Sequence, residues 1–511
     1  MNSDNGNNRI AKNTLFLYVR LAFILLVSLY TTRVVLNELG VEDYGIYNVV
    51  AGFVSLFAFL NASMSSSVQR FYNYKKGAEG SVGMRQVFNT SLYIQALIAI
   101  VTLVMLESFG LWYINFQMVI PVNRLLAANW LFQFSVLNLV LVIMQIPFAG
   151  AIIANERMDY FALVGILDVL LKLGIVLALP YINSDKLIFY GSFILLTGLL
   201  NFLMYAIYAK VKFGFIQLRR TFNKSLFKQM LSFTGWTVLD SVAYMLKGQG
   251  VNVLLNAFCG PVVNAARGVA YQLSNALSGF QSNVIVAFKP QMIQSFAEEK
   301  VERVKSLMYS SSKISFVLLA TFSIPIIFEI DYILNLWLKG AVPENTIPFT
   351  IIVLVNMVIS SLNTPLSVTV MAVGKLKNYQ LYRNIITLCV LPFSWIALRM
   401  GAGPLSVFII SLIISLIVHP VSMVLLHNIF SYSYKTYCTQ VLLPCLSFSI
   451  IVPIMPCLIK YMMTESFIRL LLVAAVSVFV SFITAMICVF DRNERTIIYS
   501  WMSTMVKKIK R

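Results

Sequence analysis

Residues 127–153 read AANWLFQFSVLNLVLVIMQIPFAGAII, an unbroken run without one Asp, Glu, Lys or Arg. At about 1.5 Å of rise per residue the run is long enough to cross a hydrocarbon core of roughly 30 Å as a helix. The pattern repeats in both directions. Comparable apolar runs stand at 14–36, 44–68, 88–112, 160–180, 187–209, 231–258, 262–288, 311–336, 346–372, 380–398, 404–427, 438–459 and 467–490. With 59% hydrophobic and only 12% charged residues and a mean hydropathy of +0.81, the chain has too little polar surface to cover a soluble globule of 511 residues. The reading is an all-α polytopic membrane protein of about 14 transmembrane helices. The first run carries Arg20 and Arg33 and lacks a small-residue cleavage pattern, so it is read as a span and not as a signal peptide.

The net charge of +19 would suggest nucleic acid in a soluble protein, but here it follows the membrane topology. With the N-terminus inside, 28 of the 39 basic residues fall in cytoplasmic segments, among them Arg70, Lys75, Lys76, Arg157 and the tail from Lys507 to Arg511. The opposite loops hold only Arg124, Lys186, Lys339, Arg399, Lys460 and Arg469, whereas Glu38, Glu42, Asp43, Asp185, Glu329, Asp331 and Glu344 lie in or beside them. This bias places both termini in the cytoplasm and directs the basic segments at anionic lipid. No nucleic-acid partner is expected. The loops are too short to hold an enzyme's site, so no catalytic residue is assigned. Two histidines and six scattered cysteines without ligand spacing predict no metal and no cofactor.

An internal repeat organises the spans. Val34-Val35-Leu36-Asn37-Glu38-Leu39 aligns with Val253-Leu254-Leu255-Asn256-Ala257-Phe258 at an offset of 219 residues, and the same offset takes Arg70 onto Lys289. Six spans per repeat is an even number, so both copies insert in the same sense. The expected organisation is an N-terminal lobe at 1–209, a basic cytoplasmic linker at 210–230 and a C-terminal lobe at 231–430. Two extra helices at 431–490 and a basic tail at 491–511 complete it. Two pseudo-symmetric six-helix lobes around a central cavity suit alternating access.

An ionised side chain near mid-bilayer costs about 2.5 to 3.5 kcal/mol on insertion scales, so each needs a partner, water or a purpose. Asp168 and Lys172, four apart on one helical face, can neutralise each other. Asp240 and Lys247, seven apart, lie on one face but about 10.5 Å apart along the axis, too far for a direct bond. Arg33 is near enough to a span end to snorkel. Arg20, Arg33, Lys247 and Arg267 together form a surplus of positive charge, which suits an anionic substrate because guanidinium forks grip phosphate oxygens in pairs. Asp240 and Asp168 are the candidates for coupling to a proton or sodium gradient. Trp236, Tyr244 and Tyr271 are candidates for stacking on sugar rings or for ordinary packing.

Several stretches resemble a known family. Arg9-Ile10-Ala11-Lys12-Asn13-Thr14, followed by the segment from Tyr30-Thr31-Thr32-Arg33 through Val41-Glu42-Asp43-Tyr44-Gly45-Ile46-Tyr47, looks like the first hairpin of bacterial polysaccharide-unit flippases. Gly260-Pro261-Val262-Val263-Asn264-Ala265-Ala266-Arg267-Gly268 and Lys289-Pro290-Gln291 resemble the same proteins. They belong to the multidrug, oligosaccharidyl-lipid and polysaccharide exporter superfamily. The resemblance implies two lobes about a cationic cavity in the bacterial inner membrane. It further implies movement of undecaprenyl-pyrophosphate-linked oligosaccharide to the outer leaflet for O-antigen or capsule assembly, beside a polysaccharide polymerase and chain-length machinery. Fourteen spans are similar to the lipid II flippase arrangement, whose extra helices form a lipid-tail groove. A multidrug exporter of the same fold is the alternative, for which an acidic cavity is expected. A membrane polymerase or glycosyltransferase would need a cluster of acids or of His and Arg in a sizeable loop.

Overall fold

The structure, a computed structural model, describes residues 13–21, separate positions between 23 and 57, and 58–496 save 117, 119, 219–222, 339–341 and 493. Every regular element among the described residues is a helix. Ten of them are long and apolar enough to cross a membrane, running from Asn61–Phe116 to Phe467–Val489. Two further long helices, Lys224–Cys259 and Pro261–Ala297, are more polar, and the first two expected spans are described only in part.

The described chain divides into two compact units, one ending at Ser241 and one starting at Val242. The first contains α1 (Ala58–Met105), α2 (Leu125–Ala154), α3 (Met158–Ala178), α4 (Lys186–Lys212) and the first half of α5 (Lys224–Cys259). The division falls inside α5, downstream of the expected linker, because the first half of α5 is hydrogen-bonded to α1. Thr234 Oγ1 donates to Ser67 Oγ at 2.9 Å, and Ser63 shares hydrogen bonds with Thr237 O and Ser241 Oγ. The core gathers Leu106, Ile114, Leu131, Phe132, Val136, Val176 and Leu187 around described residues of the first hairpin such as Val35, Ile46 and Val50.

The second unit continues through α6 (Pro261–Ala297), α7 (Val301–Phe328), α8 (Thr346–Ser361), α9 (Asn363–Val373), α10 (Leu376–Leu388), α11 (Val390–Arg399) and α12 (Leu405–His427). Its helix order repeats that of the first unit with nearly constant spacing. Helices α4 and α12 begin at Lys186 and Leu405, 219 residues apart, and α3 and α10 begin at Met158 and Leu376, 218 apart. The chain turns at Gly80 with φ 64° and again at Glu299, 219 residues on, with φ 60°. Gly80, with ψ −140°, takes a conformation open to glycine, whereas the positive φ at Glu299 carries a cost of about 1–2 kcal/mol.

The appended helices α13 (Leu443–Ile451), α14 (Ile454–Met462) and α15 (Phe467–Thr484), with the segment after them, are tied to α7 at its C-terminal end and near its middle. At the end the Arg469 guanidinium meets Glu329 at 2.8 Å, both side chains almost fully buried. Near the middle Lys313 Nζ lies 2.5 Å from Glu494 and 3.6 Å from Asp491. Asp491 and Glu494 cap each other's backbone N–H groups in a reciprocal box.

At the end of the first unit where α4 begins, Arg124 bridges Asp43 at 2.7 Å and Asp185 at 2.5 Å, and Lys186 meets Glu38 at 2.9 Å. Asp185 also caps α4 through the Leu187 and Ile188 N–H groups. Burial pushes the Asp185 carboxyl up, but the bonds from Arg124 and Ile188 outweigh it and hold the carboxyl below its ordinary value. A depressed carboxyl stabilises the fold above the unfolded value of about 4, and that contribution is lost as pH falls through the lower folded value. The apparent melting temperature should therefore decline more steeply below about pH 4 in the wild type than in Asp185→Asn, as scanning fluorimetry across a pH series would show.

Candidate functional site

The sequence-derived cations occupy two kinds of environment. Arg20, on the first described helical stretch, lies over the Phe161 ring at 4.7 Å from its centroid. Its guanidinium fills the place of a side chain at Gly165 of α3, where an added Cβ would overlap Nε and lie 2.9 Å from Cδ. Asp168, one turn further along α3, is close enough to act on Arg20 electrostatically. That carboxylate accepts from Lys172 Nζ at 2.8 Å, as the spacing of four predicts, and from Asn201 Nδ2 at 2.6 Å. Arg20 is therefore packed into its unit against an aromatic face, a glycine and a nearby acid. Arg33 lies outside the described residues.

Arg267 stands differently. Gly260, with φ 82°, and Pro261 at the first helical position fold α5 and α6 into a hairpin, and the guanidinium of α6 reaches back to α5. Nη1 donates to Asn252 Oδ1 at 2.7 Å and Nη2 to Gly248 O at 3.0 Å, while the cation lies over Tyr271 at 4.5 Å. Asn264 Nδ2 donates to Asn252 O at 3.2 Å and fixes that partner's backbone. All of these partners are neutral. Nε, like that of Arg20, is buried and has no hydrogen-bond partner among the described residues.

Lys247 is the residue before Gly248, so α5 carries a second cation on the same hairpin, on a different side of the helix from the Gly248 carbonyl's neighbours. Gly248 and Gly268, each following one of the two cations in sequence, have nothing within 4 Å of where a Cβ would stand. The hairpin thus holds a guanidinium oriented by neutral groups, a second cation on α5 and open space beside Gly248 and Gly268.

Asp240 is half-buried in the first half of α5, in the other compact unit from Lys247. Of the aromatic candidates, Tyr271 is engaged beneath Arg267 and Tyr244 is 74% exposed. Sequence reasoning passed over Glu107, which sits in a π-helical turn, Leu106–Gly110, and accepts from Gln133 Nε2 of α2 at 3.0 Å. Its position inside the run 88–112 was signal enough, but the strongly apolar neighbours masked a single acid. Among the described residues no group of His, Cys, Asp and Glu could hold a metal ion.

No family model matches the chain, and no curated protein matches it significantly. Solved structures do. A mutant of a MATE transporter superposes with a TM-score of 0.74 at 14% identity, covering 83% of this chain and 96% of that one. An outward-facing multidrug resistance MATE family transporter of the MOP superfamily gives 0.73 at 13% identity with the same coverages. A MOP superfamily transporter from Pyrococcus furiosus, described as having a binding pocket of reversed polarity that suggests a different function, gives 0.71 at 14% identity over 83% and 96%. At these identities the likeness establishes the fold, a two-lobed helical membrane architecture of the MATE type.

Proposed function

We propose that this chain is a membrane transporter whose substrate carries a pyrophosphate or comparable anionic group on a lipid. The Arg267 and Lys247 hairpin carries the reading, since it presents a guanidinium on neutral supports, a second cation and open space at Gly248 and Gly268. The specific form is a flippase that moves a lipid-linked oligosaccharide across the bacterial inner membrane, with proton or sodium coupling through Asp240 or Asp168. Resemblance of the first hairpin and of residues 260–268 to polysaccharide-unit flippases supports that form.

Multidrug export is the second reading, and the structural neighbours, which include a multidrug resistance transporter, favour it over the flippase. The neighbour described as having a pocket of reversed polarity supports the idea that this fold serves substrates of either charge. The two readings separate in proteoliposomes. The flippase reading expects a fluorescent pyrophosphate-linked prenyl sugar to become accessible on the opposite leaflet faster than in protein-free vesicles, while a lipophilic cationic dye does not accumulate. Dye accumulation without lipid movement would replace it with multidrug export.

A further inference from the structure

The end of the first unit between residues 107 and 134 has a composition that helix packing alone does not explain. Glu107 and Asn115 approach Gln133 and Asn129 of α2 in two hydrogen-bonded rungs. Gln133 Nε2 donates to Glu107 Oε2 at 3.0 Å, and the Asn115 and Asn129 amides exchange bonds at 3.1 and 3.0 Å. Polar groups that serve only to join two helices are expected to be buried between them, yet Asn115 is exposed and Glu107, Asn129 and Gln133 are half-exposed.

Aromatic side chains flank the ladder. Trp112 and Trp130 are 46% and 49% exposed, and Phe109 is 56% exposed with its ring stacked on Tyr113. Aromatics at an interface are ordinary by themselves. A carboxylate and three amides beside half-exposed indoles, Trp112 tilted against Phe109 and Trp130 stacked on Phe134 through one face, are not. The π-turn at Leu106–Gly110 widens the helix by one residue at the position of Glu107, a distortion that recurs at functional sites.

We infer that this surface binds a saccharide, with the face of a pyranose ring on Trp112 or Trp130 and its hydroxyls on Glu107, Gln133, Asn115 and Asn129. Sugar rings are amphipathic in the sense this surface matches: apolar C–H faces suit indole rings, and hydroxyls, which donate and accept, suit carboxylates and amides. Glu107 Oε2 already accepts from Gln133, and Oε1 is available to accept from a sugar hydroxyl. Participation of this surface in moving a lipid-linked oligosaccharide rests on the function proposed above, whereas saccharide binding itself does not.

The test is saturation-transfer NMR on the full chain in phosphatidylethanolamine nanodiscs free of glycosidic detergent. The probes are methyl β-D-glucopyranoside and methyl N-acetyl-β-D-glucosaminide, with glycerol as the arm that reports a lipid-headgroup polyol. Transfer to ring C–H protons of at least one glycoside is expected, with none to glycerol. It should fall about threefold or more in Trp112→Ala, in Trp130→Ala or in both, and also in Glu107→Gln. Glu107→Gln keeps the size of the side chain and reads the site if an alanine variant fails to fold. Arg267→Ala should leave the transfer unchanged, so a failed transport assay with intact transfer would strike the function and not this surface. Equal transfer to glycerol, no transfer to either glycoside, transfer indifferent to all three substitutions, or transfer lost in Arg267→Ala would each overturn the assignment.

Discussion

Arg267→Ala should reduce affinity for a pyrophosphate-bearing lipid at least about tenfold, with Arg267→Lys falling in between. The expectation follows from the clamp. Two Nη donors are spent on Asn252 and Gly248, and these bonds orient the buried Nε and the cationic plane that an incoming phosphate would meet. Charge-assisted hydrogen bonds are worth roughly 1.5–3 kcal/mol, and about 1.4 kcal/mol is tenfold. Lysine keeps the charge but cannot reach Asn252 and Gly248 together while offering a planar donor. The check is equilibrium binding to chains in nanodiscs, with membrane level and thermal stability measured for each variant. Affinity unchanged in a folded Arg267→Ala chain would reduce the clamp to helix packing.

A larger effect on stability is expected from Arg469→Ala. Glu329 is fully buried, and the Arg469 guanidinium at 2.8 Å is its cationic partner. Removing one member of a buried ion pair leaves an uncompensated charge and costs about 3–5 kcal/mol, much more than either side chain contributes by packing. Arg469→Ala should lower the melting temperature sharply, and Glu329→Gln in the same chain should restore part of the loss because the neutral amide no longer needs the cation. Scanning calorimetry of the two variants and their combination gives the coupling directly. Additive losses would mean that the pair is not coupled as its geometry indicates.

Much of the fold was legible because a helix in lipid must be apolar along its length, and residues 127–153 state that requirement without ambiguity. The repeat was read from the match of residues 34–39 with 253–258 at an offset of 219, and the starts of α4 and α12 stand the same distance apart. The division inside α5 was not legible, since it depends on small hydroxyls at Ser63, Ser67, Thr234 and Thr237 that no hydropathy pattern distinguishes.

The candidate site was half legible. Charge in an apolar run picks out Arg20, Lys247 and Arg267 alike, but what separates them is tertiary. Arg20 is filled in by Phe161 and Gly165, more than a hundred residues away, whereas Arg267 is held by its own hairpin next to open space. The Asp168–Lys172 pair was readable because its partners are four residues apart, and the Arg469–Glu329 pair was not because they are 140 apart.

Anion selection by the α5–α6 hairpin can be read by comparing the binding of one prenyl-linked sugar, with its pyrophosphate and with a neutral linker, to the wild-type chain in nanodiscs of uncharged lipid. At least about tenfold tighter binding of the pyrophosphate form is expected, from one charge-assisted bond or more. Equal affinity for the two lipids would mean that the hairpin does not select an anion.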